Sequence, residues 1–209
     1  MRTGSDKFEL AGLVLAGGRS RRMGEDKGSQ SYAGSGVPAV RLAIARLEAV
    51  CARVFVSINA EQRDDPVYAR LTTIVDSQPD RGPAAGLAAA FDAAPESAWL
   101  VLAVDMPLVS IELLRNLVAQ RDPSRIATVQ RHADGTLEPL CAIWEPHARE
   151  PVAHELAHGR DSLRAVAHGH AAAIAGLPQP ERLRNANTPA ERELLRSCLE
   201  RDGRGPDHS

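Results

Sequence analysis

This 209-residue sequence has few aromatic residues and few cysteines, and its net charge is close to zero. Aromatics make up only 3% of it, which argues against a protein that stacks single-stranded nucleic acid, and the formal net charge of -2 argues against a basic nucleic-acid binder. The three cysteines, Cys51, Cys141 and Cys198, form no Cys-x-x-Cys pair. A disulfide framework is therefore not expected, and a reducing compartment is favoured.

Long apolar runs and an export signal are also lacking. The first apolar run, residues 10–16, stops at two glycines, and no run approaches the roughly 20 residues that a membrane helix needs. We therefore expect a cytoplasmic protein that partners neither membranes nor nucleic acid.

Short aliphatic runs alternate with helical periodicity over the first two-thirds of the chain. The predicted strands are 13–16, 54–58, 73–75, 99–104, 126–131 and 137–144. The predicted helices are 37–51, 61–71, 83–94, 146–157, 161–166 and a last one from Thr188. This alternation predicts an α/β fold with a single doubly wound, mostly parallel sheet and flanking helices. We predict one domain over residues 1–200 and a disordered tail at 201–209.

The segment Leu15–Lys27 (LAGGRSRRMGEDK) is rich in glycine and arginine. A strand leads into Gly17 and Gly18, where the missing Cβ atoms let backbone amides approach a phosphate closely. Four cations then follow within nine residues, which suits a triphosphate: Arg19, Arg21, Arg22 and Lys27. The segment has neither a Walker pattern nor GxGxxG. The charges alone are explained equally well by a solvated basic turn.

Asp105 follows the most hydrophobic predicted strand, in the sequence AVDMP. Ligands of open parallel sheets bind outside the carboxyl ends of the strands, and Pro107 restrains Met106 to an extended conformation. A carboxylate at that position is suited to Mg²⁺, a hard cation that also binds phosphate. The other role for Asp105, a helix N-cap, is better filled by Ser110.

The ordered pattern LAGGxSxRMGxDK resembles the signature of nucleotidyltransferases, and most closely that of the molybdenum cofactor guanylyltransferases of the MobA type. Its glycine pair favours these enzymes over the molybdopterin cytidylyltransferases, which typically read LAAG, and we interpret Gly17 as room for a purine. The resemblance runs in order from residue 13 to about 195 through four further stretches: Asn59, Asp76–Gly86, Asp105–Pro107 and Arg184–Glu191. The sequence departs from the family at Ala84, usually leucine, and in the polar loop 28–38, which we expect to be mobile.

The resemblance implies a role for each matched residue. The implied nucleotide-binding residues are Leu15, Ala16, Gly17, Gly18, Lys27, Asn59, Asp76, Gly82, Pro83, Gly86 and Asp105. Arg22, Lys27 and Asp105 are the implied catalytic residues, with Mg²⁺ held by Asp105. Asn187 is the implied contact of the acceptor. Taken without the resemblance, Asn59 and the stretch around Asn187 each read as an ordinary turn or helix cap.

The implied reaction transfers GMP from GTP to the terminal phosphate of the molybdenum-pterin cofactor and releases pyrophosphate. The implied partners are GTP, molybdopterin, other cofactor-biosynthesis proteins and apo-molybdoenzymes. Two alternatives stay open. One is another nucleotidyl transfer, of CMP to the same cofactor or of a nucleotide to a sugar phosphate. The other is a nucleotide or cofactor carrier without turnover.

The segment His154–His158 reads HExxH, the helix pattern of zinc proteases. All seven histidines lie after position 130, so local composition favours a chance match. No downstream GxxH follows, because Asp161 stands where that glycine would be. An exposed helical face is the expected explanation.

Overall fold

The computed structural model describes residues 9–17, 28–31, 36–76, 78, 81–132, 134–176 and 183. The strands among these residues are β1 (Leu10–Leu15), β2 (Val54–Ile58), β3 (Thr73–Val75), β4 (Ala98–Ala103), β5 (Ala127–Arg131), β6 (Leu137–Trp144) and β7 (Ala173–Ala175). The α-helices are α1 (Ala39–Glu48), α2 (Gly82–Ala93), α3 (Ile111–Ala119), α4 (Arg149–Ala157) and α5 (Leu163–Gly169). None of these helices is long and apolar enough to cross a membrane.

The strands form one sheet in the order β3-β2-β1-β4-β6-β5-β7. Four neighbouring pairs are parallel, and the two pairs that include β6 are antiparallel. The chain winds outward from β1 through β2 to β3 and then returns to place β4 on the other side of β1. This reversal is the topological switch point of a doubly wound sheet. The predicted α/β, mostly parallel fold is therefore confirmed.

The two faces of the sheet bury separate apolar clusters. Side chains alternate across a strand, so Val14 of β1 belongs to the cluster that includes α1 and α3, whereas Leu13 and Leu15 belong to the cluster that includes α2, α4 and α5. Strand β4 is buried along its whole length, as its continuous apolar sequence predicts. Helix α3 begins after Ser110, whose Oγ accepts a hydrogen bond from the Leu113 N–H at 3.2 Å.

The predicted helix over residues 61–71 is wrong. The chain forms only a single 3-10 turn at Ala60–Gln62 and then further turns, with Arg70 at a positive φ of 64°. Two local features compete with a helix here. The Asp65 carboxylate accepts a hydrogen bond from the Val67 N–H at 2.9 Å, and Pro66 has no N–H to donate.

Smaller differences concern the second half of the chain. The predicted helix 146–157 divides into a 3-10 turn at Pro146–Ala148 and α4, and the predicted helix 161–166 is α5, capped by Ser162. Strand β7 was not predicted, because three residues are too few to show a period. The predicted last helix and the tail lie outside the described residues.

Candidate active site

The predicted nucleotide residues that the structure describes lie at one edge of the sheet. Ala16 and Gly17 follow β1, Asn59 follows β2, Asp76 follows β3, and Asp105 comes two residues after β4. Because these four strands are parallel, their carboxyl ends meet at that edge. Four other predicted site residues lie outside the described part of the chain: Gly18, Arg22, Lys27 and Asn187.

The turn after β1 is held against the end of β2. The backbone N–H groups of Ala16 and Gly17 both donate to the Ser57 carbonyl, each at 3.0 Å. A Cβ at Gly17 would lie 3.3 Å from the Asn59 backbone nitrogen, which is tighter than ordinary packing. Close approach to β2 is thus a second physical reason for this glycine. Room for a purine stays a prediction.

Asn59 ends β2 as a capping residue. Its Oδ1 accepts a hydrogen bond from the Gln62 N–H at 3.0 Å, and the Gln62 Oε1 accepts one from the Asn59 N–H at 2.9 Å. This reciprocal pair is a capping box, which orients the Asn59 side chain. Because Oδ1 already accepts a bond, the Nδ2 group is the part of this amide best placed to donate to a ligand.

Gln62 connects Asn59 to the turn after β1. Its Nε2 donates to the Ala16 carbonyl at 3.3 Å and to the Tyr68 hydroxyl at 3.0 Å, and the side chain is buried. The Gln62 side chain therefore positions both Asn59 and the turn after β1, two separate parts of the predicted nucleotide site. Our sequence reasoning missed Gln62, although its spacing of three residues from Asn59 is the signal of a capping box.

We expect Gln62→Glu to weaken Mg-GTP binding about tenfold, because a carboxylate cannot donate to the Ala16 carbonyl and repels its oxygen. Calorimetric titration of the purified variant measures this effect. Tyr68→Phe removes the Nε2 contact with the Tyr68 hydroxyl and keeps the one with the Ala16 carbonyl, so binding should stay within about threefold of the wild type. Equal affinity of Gln62→Glu and wild type would show that this link does not position the site.

Asp76 is bonded to the neighbouring strand end and to its own loop. Its N–H donates to the Ile58 carbonyl at 2.8 Å, and its Oδ1 accepts a hydrogen bond from the Gln78 N–H at 2.7 Å. Burial raises the pKa of the Asp76 carboxyl, and the bond from Gln78 opposes that shift. A half-buried carboxylate with one oxygen already oriented is suited to accept hydrogen bonds from ribose hydroxyls.

The raised pKa of Asp76 predicts a pH-dependent gain in stability for Asp76→Asn. Because the pKa is higher in the folded than in the unfolded state, ionisation of Asp76 destabilises the fold, and this penalty grows as the pH rises through both values. The asparagine amide is not ionised and can still accept from Gln78. We expect a higher urea midpoint than the wild type at pH 7 and a much smaller difference near pH 3. Asp92→Asn, at an exposed acid of α2, is the matched control, and an equal difference at both pH values would contradict the interpretation.

The start of α2 lies close to the sheet at the same edge. Gly82 has a positive φ of 62°, and Pro83 occupies the first turn, where its missing N–H costs no helical bond. A Cβ at Gly86 would collide with the Ser57 Oγ and would lie 3.0 Å from the Leu15 Cδ2. Gly86 therefore lets α2 approach β1 and β2 more closely than any other residue would allow.

Asp105 lies at the switch point, at the end of β4. The Val104 N–H donates to the Leu15 carbonyl at 3.2 Å, and the Met106 N–H donates to the Ala103 carbonyl at 3.3 Å, so the chain turns at the aspartate. The loop beyond it is held by Arg46 of α1, whose Nη2 donates to the Pro107 carbonyl at 2.7 Å. Burial lowers the pKa of this arginine. Arg46 is a second residue that sequence reasoning missed, since only the fold brings α1 against this loop.

The polar loop 28–38 is bonded to the start of α1 in its described part. The carbonyls of Gly28 and Gln30 accept hydrogen bonds from the N–H groups of Val40 and Ala39 at 3.1 and 2.8 Å. These contacts satisfy amides of the first helical turn. Whether the loop orders on ligand binding stays a prediction.

The HExxH pattern lies on an exposed face of α4. His154 has 64% of its side chain exposed, and its ring centroid is 4.2 Å from that of His158. The Glu155 carboxylate pairs with Arg160 at 2.6 Å, which holds the pKa of that carboxyl down at about 2. The described residues contain no group of three side chains placed to hold a metal ion. His154 and His158 are both exposed, as the explanation by an exposed helical face predicts.

Together, the doubly wound sheet, the glycine turn after β1 and the aspartate at the switch point define a Rossmann-like nucleotidyltransferase. Residues 12–174 match the MobA-like NTP transferase domain, and the chain belongs to this family. The predicted family is therefore confirmed.

Named relatives agree with this assignment, and a solved structure has the same fold. The chain is 32% identical over 192 residues to a Trichormus variabilis protein named "Probable molybdenum cofactor guanylyltransferase", and the match covers 89% of this chain and 90% of that one. It is 35% identical over 140 residues to the molybdenum cofactor biosynthesis bifunctional protein of Synechocystis sp., a match that covers 66% of this chain and 40% of that longer protein. The structure of molybdopterin-guanine dinucleotide biosynthesis protein A from Archaeoglobus fulgidus superposes with a TM-score of 0.72 at 20% identity, covering 91% of this chain and 99% of that one.

Proposed function

We propose that this protein transfers GMP from GTP to the terminal phosphate of the molybdenum-pterin cofactor and releases pyrophosphate. The observation that carries the proposal is the position of Asp105. It lies at the switch point, with the glycine turn, Asn59 and Asp76 on one side of it and the start of β6 and the end of β5 on the other. A donor nucleotide on the first side and an acceptor on the second would meet at this carboxylate. The relative from Trichormus variabilis supports guanine as the base and the molybdenum cofactor as the acceptor.

Each predicted site residue has a role in this proposal. The turn Leu15–Gly18 brings the backbone close to the phosphates, and Arg22 and Lys27 neutralise their charge. Asn59 contacts the base and Asp76 the ribose, while Gly82, Pro83 and Gly86 shape the helix start beside them. Asn187 contacts the acceptor phosphate.

A divalent cation fits the donor set at the switch point. Asp105 supplies a half-buried carboxylate, the hard oxygen ligand that Mg²⁺ prefers, at the end of the sheet where phosphates are expected. When bound there, Mg²⁺ would neutralise charge on the phosphates during transfer.

The chemistry requires little acid–base assistance from the protein. A phosphate monoester has a second pKa of about 6, so the acceptor phosphate is already an anionic nucleophile at neutral pH. Its oxygen forms a new bond to the α-phosphorus of GTP, the bond from that phosphorus to the bridging oxygen breaks, and pyrophosphate leaves. The residues at the strand ends would act by positioning and charge neutralisation.

Calorimetric titration with Mg-GTP and Mg-CTP, side by side, tests the base assignment. We expect GTP to bind at least about tenfold more tightly, a difference of about 1.4 kcal/mol. A preference for CTP would instead indicate cytidylyl transfer on the same fold. If Mg-GTP binds but no acceptor elicits pyrophosphate release, a carrier without turnover is the better explanation.

We also propose a cellular setting for this reaction. The protein would act as one domain over residues 1–200, in the cytoplasm, and would exchange its cofactor with other cofactor-biosynthesis proteins and apo-molybdoenzymes. The odd, widely spaced cysteines support a reducing compartment, and the two described cysteines, Cys51 and Cys141, are buried as free thiols.

A further inference from the structure

The half of the sheet beyond Asp105 contains a polar cluster that the proposed roles do not use. Strand β5 runs in the same direction as β4, so its carboxyl end and the hairpin that follows lie at the edge of the predicted nucleotide site. Leu102 of β4 pairs with Cys141 of β6. Because the two strands are antiparallel, three residues forward from Leu102 and three residues back from Cys141 lead to the same edge of the sheet. Asp105 and Glu138 therefore both lie at the edge of the predicted nucleotide site.

Gln130 is a buried amide with unsatisfied hydrogen-bonding groups. Its side chain is 0% exposed, and neither Oε1 nor Nε2 has a hydrogen-bond partner among the described residues. Such an amide destabilises a fold, because its hydration is lost and nothing in the protein replaces it. Unpaired buried polar groups of this kind call for a specific explanation, and a ligand that supplies the missing bonds is one.

Glu138 is the direct partner of Gln130 across β5 and β6. The neighbouring residues Val129 and Leu137 both belong to the apolar cluster on the sheet face covered by α2, α4 and α5, so Gln130 and Glu138 share the opposite face. The Glu138 carboxylate is only 4% exposed and is held in place, with Oε1 accepting from the Leu140 N–H at 2.8 Å. A carboxylate and an unpaired amide therefore lie side by side near the site edge.

His132 connects this pair to the surface. It begins the hairpin after β5, its ring is 24% exposed, and its Nε2 lies 2.9 Å from the Glu138 Oε2. The ring thus occupies the solvent side of the carboxylate. A ligand that offers its own N–H groups to Glu138 would replace this one hydrogen bond and gain access to Gln130.

We propose that Gln130 and Glu138 form the subsite for the heterocyclic ring of the acceptor, with His132 covering it until the ring binds. This inference rests on the proposed function and extends it to the part of the acceptor far from the reacting phosphate. The 2-amino-4-oxo-pyrimidine edge of a pterin presents neighbouring N–H donors and a carbonyl acceptor. A carboxylate complements the donors, and the side-chain amide of Gln130 supplies an NH₂ group that donates and a carbonyl oxygen that accepts.

The distances between strands suit such a ligand. Neighbouring strands lie about 4.8 Å apart, so β5 is about 10 Å from β4 across β6. A fused two-ring heterocycle with a phosphate on a short side chain spans a distance of this order. Its phosphate would reach Asp105 while its ring lies over Gln130 and Glu138.

The test uses Gln130→Leu, which keeps the side-chain size and removes the unpaired amide. With Mg²⁺ and a non-reacting α,β-methylene analogue of GTP bound, the affinities of neopterin monophosphate and glycerol 3-phosphate are measured by equilibrium dialysis. We expect the wild type to prefer the pterin phosphate and the variant to bind it about tenfold more weakly, with affinity for glycerol 3-phosphate and for Mg-GTP unchanged. Because the variant no longer buries an unsatisfied amide, we also expect its Tm to rise by at least about 2 °C.

Two further variants separate a binding role from a structural one. Thr128→Val changes a buried polar residue on the same strand face, whose hydroxyl accepts from the Asp122 N–H at 2.9 Å. It should lower Tm and keep pterin binding. Glu138→Gln should weaken pterin binding about as much as Gln130→Leu, because the carboxylate charge is lost while an oxygen for Leu140 remains.

Three results would overturn the inference. One is a Gln130→Leu variant that binds neopterin monophosphate as tightly as the wild type. Another is a wild type that binds the two phosphates equally, which would show that the ring is not recognised. Failure of the wild type to bind Mg-GTP would overturn the proposed function itself, and this inference with it.

Discussion

Replacing Asp105 with alanine is expected to abolish turnover, with a loss in kcat of at least about 10³-fold. The carboxylate lies at the switch point where donor and acceptor phosphates are proposed to meet, and alanine removes the oxygens proposed to bind the cation there. Asp105 is half-buried at the edge of the sheet and alanine keeps its Cβ, so we expect the variant to stay folded. Pyrophosphate release, together with the Mg²⁺ dependence of GTP binding by calorimetry, measures the effect.

Asp92→Ala is the matched control for Asp105→Ala. Asp92 lies on the exposed side of α2, where its side chain is 68% exposed and pairs with Arg149 at 3.0 Å. Loss of that exposed pair should change stability by less than about 1 kcal/mol and leave turnover unchanged. An Asp105→Ala enzyme with near wild-type activity would show that the site's metal ligand has been placed wrongly.

The largest expected loss of stability comes from Glu145→Ala. Glu145 is fully buried and pairs through both oxygens with the guanidinium of Arg121, at 2.7 and 2.9 Å. Removing the carboxylate takes two charge-assisted hydrogen bonds and one ion pair from a buried cation, and we expect the free energy of unfolding to fall by about 3–5 kcal/mol. Urea titration followed by circular dichroism measures this change.

Two comparisons establish the cause of that loss. Replacing both partners, Arg121→Met with Glu145→Leu, should recover most of the stability, because no buried charge remains. Glu9→Ala breaks the exposed Arg53–Glu9 pair, whose side chains are 50% and 57% exposed, and should cost less than about 1 kcal/mol. Equal losses in the single and double variants at Arg121 and Glu145 would show that packing, and not charge, is responsible.

The sequence was sufficient to predict the parallel half of the sheet and the residues that lie at its edge. Strand β4 is apolar throughout because it is buried on both faces, and Asp105 comes two residues after it. In a parallel sheet, every residue that follows a strand comes to the same edge, whatever the details of packing. The placement of Asn59, Asp76 and Asp105 therefore follows from the order of strands and helices alone.

In the segment after β2, local hydrogen bonds that stabilise turns compete with the predicted helix and determine the structure. Its spacing of apolar residues was compatible with a helix, but Asp65 and Pro66 stabilise turns instead, and Gln62 is drawn into bonds with Ala16 and Tyr68. A hydrogen bond to a residue 46 positions away carries no periodic signal in the sequence. The link between Asn59 and the glycine turn could therefore be found only in the folded chain.

Some features could be predicted from the sequence and others only from the structure, because the interactions that form them act over different distances along the chain. Periodicity, glycine turns and residues at strand ends are local properties, and these specified the α/β fold and the edge that carries Asn59, Asp76 and Asp105. The pairing of Gln130 with Glu138 depends on a bulged register between β5 and β6. The hydrogen bond from Arg46 to the loop after Asp105 depends on how α1 packs. Such contacts join residues that are distant in the chain, so they arise only when the sheet and its helices assemble.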